Sequence, residues 1–229
     1  MRRRVTILAA IVALGVLVGS LAWAITADQV TKRIANKINS KWRTQRLQVS
    51  VAPYSDAETA KGRFRRIGVT AASVVVSDVK LAPVTINATD VTLDLSQLVT
   101  KNQVVCKRRQ SGHFATRCTE VDLNRALAHK HTPIENLHVT LGAGTLVFTG
   151  TYRIGFGANL RLEGVLECQD HYQVNFVPTR ASVSGVPLPT GPLKTVLAKI
   201  NPLLDFRKVP LSPRVDRISV QSGYVALSG

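Results

Sequence analysis

Two hydrophobic periods divide the chain: apolar residues recur at every fourth position near the N-terminus and at every second position after it. Between Ala27 and Trp42, the four-residue period places Val30, Ile34 and Ile38 on one side, with lysines and arginines on the others. This spacing predicts an amphipathic helix. Because such a stripe usually faces a protein core, we expect the helix to pack on the domain, with a position on the membrane surface as the alternative.

The two-residue period begins at Leu47 and predicts β-strands through most of the remaining chain. Alternating or β-branched runs cover residues 74–76, 84–86, 91–95, 159–163 and 172–177. Two shorter helices are expected between the strands, one over residues 121–128 and one over residues 191–200. No linker rich in glycine and serine divides residues 25–229. The sequence therefore predicts a single α+β domain.

A short motif recurs at residues 139–150 and 218–229, where alternating apolar positions flank a glycine at the same spacing. Residues 67–76 carry this pattern with alanine in the place of the glycine. Each copy predicts a tight hairpin with its turn at the small residue. The motif favours antiparallel hairpins over parallel β-α-β units, although any hairpin needs this pattern and the repeat does not establish a duplication.

The first 24 residues have the features of an export segment. Three arginines precede an apolar run from Val5 to Val18, and the small-residue pattern of a signal-peptidase site ends at Ala24. The apolar stretch also reaches the length that a membrane span needs, about 20 residues. Residues 1–24 are therefore either a cleaved signal peptide or a membrane anchor. Both alternatives place residues 25–229 in the periplasm or another extracytoplasmic compartment.

The charge of the chain indicates an anionic partner. Lysine and arginine number 30 against 14 aspartate and glutamate, which gives a formal net charge of +16. Nucleic acid, an acidic membrane surface and an anionic wall polymer all fit such a charge. Export argues against nucleic acid, and the aromatic residues that stack on bases make up only 5% of the chain. The expected partner is anionic phospholipid or a membrane surface, with wall polymer as the alternative.

Basic residues are grouped in clusters that flank the predicted strands. One cluster lies at residues 61–66, a second at residues 107–109 and a third near the C-terminal strands. A single cluster is usually a solvated face, but several together indicate a surface for anionic head groups, with about 1 kcal/mol from each residue near such a membrane. The candidate headgroup residues are Lys61, Arg63, Arg65, Arg66, Arg207 and Lys208.

The apolar faces of the first and last predicted helices are candidates for an apolar groove. They consist of Ile34, Ile38, Trp42, Leu193, Val196, Leu197 and Ile200. In such a groove, acyl chains would lie between sheet and helices, and Lys or Arg at the mouth would pair with phosphate. The same residues would equally line an ordinary core, and the sequence leaves both alternatives open.

The three cysteines allow one disulfide. In an oxidising compartment, Cys106 and Cys118 are the expected pair, because their bridge would close a short basic loop and leave Cys168 free. The alternative is that all three cysteines are reduced and buried.

The sequence offers no catalytic or metal-binding constellation. Its five histidines lie outside the motif frames of known hydrolases. His129 and His131 would supply two ligands, whereas a metal site usually has three or four. We therefore expect no enzymatic activity, no metal and no cofactor.

Several segments make the chain resemble a known family. They are residues 49–53, 62–69, 91–98, 119–124, 162–164, 175–178, 185–189, 201–202, 209–211 and 218–229. In their order and spacing, these landmarks resemble the LmeA-type phospholipid-binding family of bacterial envelope proteins. The resemblance covers nearly the whole chain after the export segment, but the stretch between Cys106 and Cys118 is not part of it.

This resemblance implies an elongated antiparallel sheet curved against helices, akin to tubular lipid-binding folds. It also implies phospholipid binding in or beside an apolar groove, and it transfers no catalytic residue. The expected function is that of a non-catalytic envelope protein that binds anionic phospholipid through an apolar groove with a basic rim. The alternative is an envelope protein that binds cell-wall polymer or serves as a scaffold, without a lipid ligand.

Overall fold

The structure of the chain is a computed structural model that describes residues 25–154, 156–187, 190–209 and 211–229. The predicted export segment, residues 1–24, lies outside these ranges. Within them, no helix combines the length and the apolar character that crossing a membrane requires.

Helices and antiparallel strands make up the described chain, and the predicted α+β class is confirmed. The helices are α1 Ala27–Lys41, α2 Asp56–Ala60, α3 Leu95–Thr100, α4 Glu120–Ala128 and α5 Thr190–Ile200. The strands are β1 Thr44–Gln45, β2 Gln48–Pro53, β3 Arg63–Ala71, β4 Ser73–Val76, β5 Val79–Leu81, β6 Val84–Leu93, β7 Cys106–Arg108, β8 Ser111–Thr119, β9 Ile134–Leu141, β10 Leu146–Ile154, β11 Phe156–Gln169, β12 Gln173–Val183, β13 Val186–Pro187, β14 Leu204–Asp205, β15 Arg217–Gln221 and β16 Tyr224–Ser228.

The strands form two large sheets and one small sheet. Sheet 1 has the order β15-β16-β8-β6-β3-β2, with β7 paired to β6 beside β8. Sheet 2 has the order β13-β12-β11-β10-β9, with β14 paired to β12, and the small sheet has the order β1-β4-β5. The two large sheets meet where β11 contacts β15. A hydrogen bond from the N–H of Gly144, in the β9–β10 turn, to the carbonyl oxygen of Val220 strengthens this junction.

Two of the three predicted hairpins are confirmed. β9 pairs with β10 and β15 pairs with β16, and their turns contain Gly144 and Gly223 with φ of 80° and 81°. The third prediction is wrong, because β3 pairs with β2 and β6 whereas β4 pairs with β1 and β5. Position 72 is an alanine, and its Cβ disfavours the left-handed turn that glycine makes in the other two copies. The chain therefore leaves sheet 1 after Ala71 and crosses into the small sheet.

The amphipathic helix predicted near the N-terminus is confirmed as α1. The side chain of Thr26 caps it by accepting a hydrogen bond from the N–H of Gln29. Val30, Ile34 and Ile38 are buried, and the helix packs on β2. Helices α4 and α5 begin within one residue of the predicted starts.

Two further helices, α2 and α3, were not predicted. Each has fewer than two turns, so neither shows a full hydrophobic period. Both begin at a capping side chain: Ser55 accepts from the N–H of Glu58, and Asp94 accepts from the N–H of Gln97. Helix α2 connects β2 to β3 and α3 follows β6, which places both helices at the same end of sheet 1.

Two asparagine side chains attach helices to sheet 2 by imitating a strand partner. The amide of Asn124, in α4, accepts from the N–H of Val139 at 2.7 Å and donates to the carbonyl oxygen of Val139 at 2.9 Å. Asn201, after α5, makes the same pair with Phe176 at 2.8 and 2.9 Å. Because Val139 and Phe176 are buried, their backbone groups need such partners. Both asparagines belong to the landmark segments of the sequence.

Replacing Asn124 or Asn201 by alanine should lower the free energy of unfolding by about 2–4 kcal/mol, because each change leaves a buried N–H and a buried C=O unpaired. Urea denaturation followed by circular dichroism measures this loss. Asn175→Ala is the matched control, since its side chain bonds that of Gln169 at the surface, and it should cost less than about 0.5 kcal/mol. Equal losses in all three variants would contradict the strand-imitating role.

Candidate functional site

An apolar crevice lies between the inner face of sheet 1, the small sheet and the end of α1. Its eleven lining residues are all aliphatic or aromatic: Ile38, Trp42, Val69, Val74, Val76, Leu81, Val84, Ile86, Phe114, Phe206 and Val209. The crevice and its open mouth together contain about 380 Å³ of space, but only about 20 Å³ of it has room for water. Since one water needs roughly 10–15 Å³ of such room, the crevice as it stands admits one or two waters.

The C-terminal wall of the crevice contains Phe206 and Val209, which belong to a stretch of residues 205–209 and 211 that we call the 205–211 segment. Phe206 packs edge-on against Phe114 of β8, with ring centroids 5.1 Å apart. The carboxylate of Asp205 holds the turn that follows, because it accepts from the backbone N–H of Arg207 at 3.1 Å. It also binds the Arg207 guanidinium through both oxygens, at 3.0 and 2.9 Å. This bidentate contact fixes Arg207 on the outer side of the wall while Phe206 faces inward.

A broad basic depression lies on the other side of the 205–211 segment. It contains about 800 Å³ of space, including its open mouth. The residues that line it are Val104, Val105, Cys106, Lys107, Arg108, Arg109, Tyr172, Arg207, Leu211 and Ser212. Four of these ten residues are cations and none is an acid. The depression therefore joins the second basic cluster of the sequence to part of the third.

Contacts of the cations fix the shape of the basic depression. Lys107 pairs with Asp94 at 3.0 Å, and Nη1 of Arg109 donates to the carbonyl oxygen of Leu211 at 2.6 Å. The N–H of Gln97, and after it the Lys107 ammonium, hold the pKa of Asp94 below its usual value. Arg108 is exposed. The hydrogen bond from Arg109 ties the loop before β8 to the 205–211 segment, so the depression has walls from two distant parts of the chain.

The apolar crevice and the basic depression are neighbours because residues of one short segment face both. Phe206 and Val209 line the crevice. Arg207 and Leu211 line the depression. A molecule with an apolar tail and an anionic head would therefore find the two environments it needs on either side of one thin wall.

The predicted headgroup residues lie in two places. Arg207 lines the basic depression, and the side chain of Lys208 lies outside the described residues. Lys61, Arg63, Arg65 and Arg66 are all exposed around the start of β3 and line neither the crevice nor the depression. The cations of the depression that the headgroup prediction omitted are Lys107, Arg108 and Arg109. In the sequence, these three residues form the second basic cluster, which we assigned to a disulfide loop instead of to the headgroup site.

Two of the seven predicted groove residues line the crevice. Ile38 and Trp42 line the crevice, whereas Ile34 is fully buried on the core side of α1. The four candidates on α5 belong to a helix that packs on β12 of sheet 2. Among them Val196 and Ile200 are fully buried, and Leu193 and Leu197 are partly buried against the core. The ordinary-core alternative therefore describes these four residues and Ile34.

The predicted disulfide between Cys106 and Cys118 is wrong in this fold: all three cysteines are free. Cys106 lies opposite Leu93, whereas Cys118 lies two residues beyond Thr116, the partner of Val84. These positions are at opposite ends of β6, about 30 Å apart at roughly 3.3 Å per residue. A disulfide requires Cα atoms within about 7 Å of each other.

Histidines and acids do not assemble a metal site in the described chain. No three His, Cys, Asp or Glu side chains there lie close enough together to hold an ion. His171 makes an exposed contact with Asp216, with 2.8 Å between Nδ1 and Oδ1.

The fold and the site define a class of protein: an antiparallel α+β protein in which an apolar crevice adjoins a cationic depression. Residues 17–229 match the family described as LmeA-like phospholipid-binding. The chain therefore belongs to this phospholipid-binding family, as the resemblance of its landmarks predicted. No curated protein and no solved structure matches the chain.

Thiol labelling of the folded protein without reductant should modify Cys106 and Cys168 and leave Cys118 untouched. Cys118 is 1% exposed, and burial, with a smaller effect of Asp122, raises its pKa to about 12, so almost no reactive thiolate exists. Cys106 and Cys168 are partly exposed. Peptide mass spectrometry locates the label, and denaturant should expose the third thiol. Labelling of Cys168 alone until reductant is added would instead support the Cys106–Cys118 bridge.

Proposed function

We propose that the protein is a non-catalytic binding protein for anionic phospholipid, with the acyl chains in the apolar crevice and the phosphate in the basic depression. One observation carries the proposal: a crevice lined only by aliphatic and aromatic residues adjoins a depression with four cations across the 205–211 segment. Membership in a phospholipid-binding family supports it.

The cations of the basic depression suit a phosphate. Arg108 is exposed, and Arg109 uses Nη1 for Leu211 while its guanidinium carries further N–H groups. Lys107 and Arg207 are held in place by Asp94 and Asp205. A guanidinium binds phosphate through two parallel hydrogen bonds, which are shorter and stronger than bonds between neutral groups. An anionic lipid would thus gain more here than a zwitterionic one, whose ammonium group meets like charge.

Acyl chains require the crevice to widen. Each methylene moved from water into an apolar site gains about 0.8 kcal/mol, so a chain of many methylenes supplies a large driving force for parting the walls. Two elements lie at the borders of the crevice and form its walls there: Trp42, at the end of α1, and the 205–211 segment. We propose that a chain enters by displacing the 205–211 segment, because that segment separates the crevice from the depression.

We also propose that the single domain of residues 25–229 works in the periplasm or another extracytoplasmic compartment, delivered by residues 1–24. The support is the sequence of that segment, with its arginines, its apolar run and its small residues before Ile25.

Fractionation of cells that express the full chain should place the protein outside the cytoplasm. N-terminal sequencing then separates the two alternatives: a protein beginning at Ile25 has lost a signal peptide, whereas an intact N-terminus in the membrane fraction indicates an anchor. A cytoplasmic protein with an intact N-terminus would contradict export.

Organic extraction of the purified protein followed by mass spectrometry should recover phospholipid enriched in anionic species. Val209→Trp, which fills the crevice from a residue that is 8% exposed, should lower the recovered lipid by about tenfold, equivalent to ~1.4 kcal/mol, because the indole would occupy the space that an acyl chain needs. Val121→Trp, at a residue that is 65% exposed and does not line the crevice, should leave the recovered lipid unchanged.

Circular dichroism must confirm that both variants fold. Wild-type protein without phospholipid would overturn the proposal and favour the polymer-binding or scaffold alternative. Equal lipid in wild type and Val209→Trp would reject the crevice as the acyl site.

A further inference from the structure

We propose that one end of sheet 1 is a docking surface for an anionic lipid membrane. This surface, called the basic end, is formed by residues 54–66 and 94–109. The inference rests on the proposed function, because docking here would bring a membrane phospholipid directly to the basic depression.

The strand register brings the first two basic clusters together at this end. Arg63 of β3 lies opposite Thr92 of β6, and Thr92 lies opposite Arg108 of β7. Residues directly opposite in a sheet share a face, so Arg63 and Arg108 lie on one face about two strand spacings, roughly 10 Å, apart. The N–H of Leu93 donates to the carbonyl oxygen of Gly62 at 2.8 Å, and this hydrogen bond holds the end of β6 against the residue that precedes β3.

The basic end carries a large excess of positive charge. Residues 54–66 and 94–109 contain eight Lys and Arg against three Asp and Glu. Glu58 is already bonded by Lys61 at 3.0 Å and by Arg63 at 2.8 Å. Arg65, Arg66 and Lys101 are exposed. Cations near an anionic membrane each contribute about 1 kcal/mol to binding.

Apolar side chains are exposed among these cations. Five large hydrophobic residues are exposed in the described chain, and three of them lie at the basic end: Tyr54 at 49%, Val99 at 40% and Val105 at 38%. Single exposed apolar residues are ordinary on protein surfaces. Their grouping with cations at one end is the pattern that membrane interfaces favour, since apolar side chains insert at the headgroup boundary while cations pair with phosphates.

This mixture favours a lipid surface over a wall polymer as the partner. A soluble polyanion would use the cations, but exposed valines would gain nothing from it in water. A bilayer offers both the anionic charge and an apolar layer beneath it.

The basic end is continuous with the basic depression. Val105, Lys107 and Arg108 belong to the basic end and also line the depression. A lipid headgroup in the membrane would therefore meet the depression's cations without a long path across the protein surface.

Co-sedimentation of the full chain with vesicles tests the proposal. Vesicles of phosphatidylcholine mixed with phosphatidylglycerol should bind the protein, and vesicles of phosphatidylcholine alone should not. Arg65→Glu combined with Lys101→Glu should weaken binding by at least about 25-fold, since each cation near the surface is worth about fivefold. Tyr54→Ser combined with Val99→Ser should weaken it several-fold. None of these four residues lines the crevice or the depression.

Matched controls lie outside the basic end. Val121→Ser removes a more exposed valine beyond the opposite end of β6, because α4 follows β8 there. Lys194→Glu reverses an exposed charge on α5. Both controls should bind the mixed vesicles as wild type does.

Wild-type protein that ignores mixed vesicles, or that binds them no better than phosphatidylcholine alone, would overturn the proposal. Controls that lose as much binding as the variants would overturn the location. An unchanged Tyr54→Ser/Val99→Ser variant would overturn insertion of the apolar residues.

Lipid extraction separates this inference from the proposed function. The docking variants should still retain extracted phospholipid when they are purified from cells, because their crevice and depression are intact. Loss of vesicle binding with lipid retained supports the docking surface, whereas absence of lipid from wild type defeats the proposed function itself.

Discussion

The register of β6 against its neighbours is the constraint on which the arrangement of the site depends. One side of β6 pairs with β3, and the other side pairs with β8 along residues 84–89 and with β7 at residues 92–93. A slip of one residue would turn every inward side chain of β6 outward. It would remove Val84 and Ile86 from the crevice and shift the basic cluster of β3 out of line with that of β7.

The 205–211 segment couples the interior of the protein to its surface. Phe206 anchors it to β8 through an aromatic contact, and Arg109 ties it to the loop before β8 by a hydrogen bond. Sheet 1 thus contacts the segment through an apolar and a polar group, and the N–H of Phe206 also donates to the carbonyl oxygen of Tyr172 at 2.9 Å. Opening of the segment would break these contacts and would join the two environments that we assign to one lipid.

The sequence predicted what depends on local periodicity and missed what depends on distant pairing. The stripe of Val30, Ile34 and Ile38 predicted α1 correctly, and so did the glycine-centred motifs for two hairpins. The disulfide prediction failed because the spacing of Cys106 and Cys118 along the chain does not reveal that they lie near opposite ends of β6. The sequence could not predict that Arg207 lies beside the second basic cluster, since only strand pairing and the path of the C-terminal segment bring them together. Groove and core residues share one hydrophobic pattern, so the α5 candidates could not be told from ordinary core.

The two hydrogen bonds between Asn124 and Val139 also affect whether a strand of another molecule can add to sheet 2. β9 is the outermost strand of sheet 2, and an open strand edge invites a strand from another molecule. Asn124 occupies both backbone groups of Val139, and the carboxylate of Glu120 accepts from the N–H of Leu141 at 2.7 Å. Helix α4 thereby covers residues 139–141 of this edge, so a strand from another molecule cannot add to the sheet there.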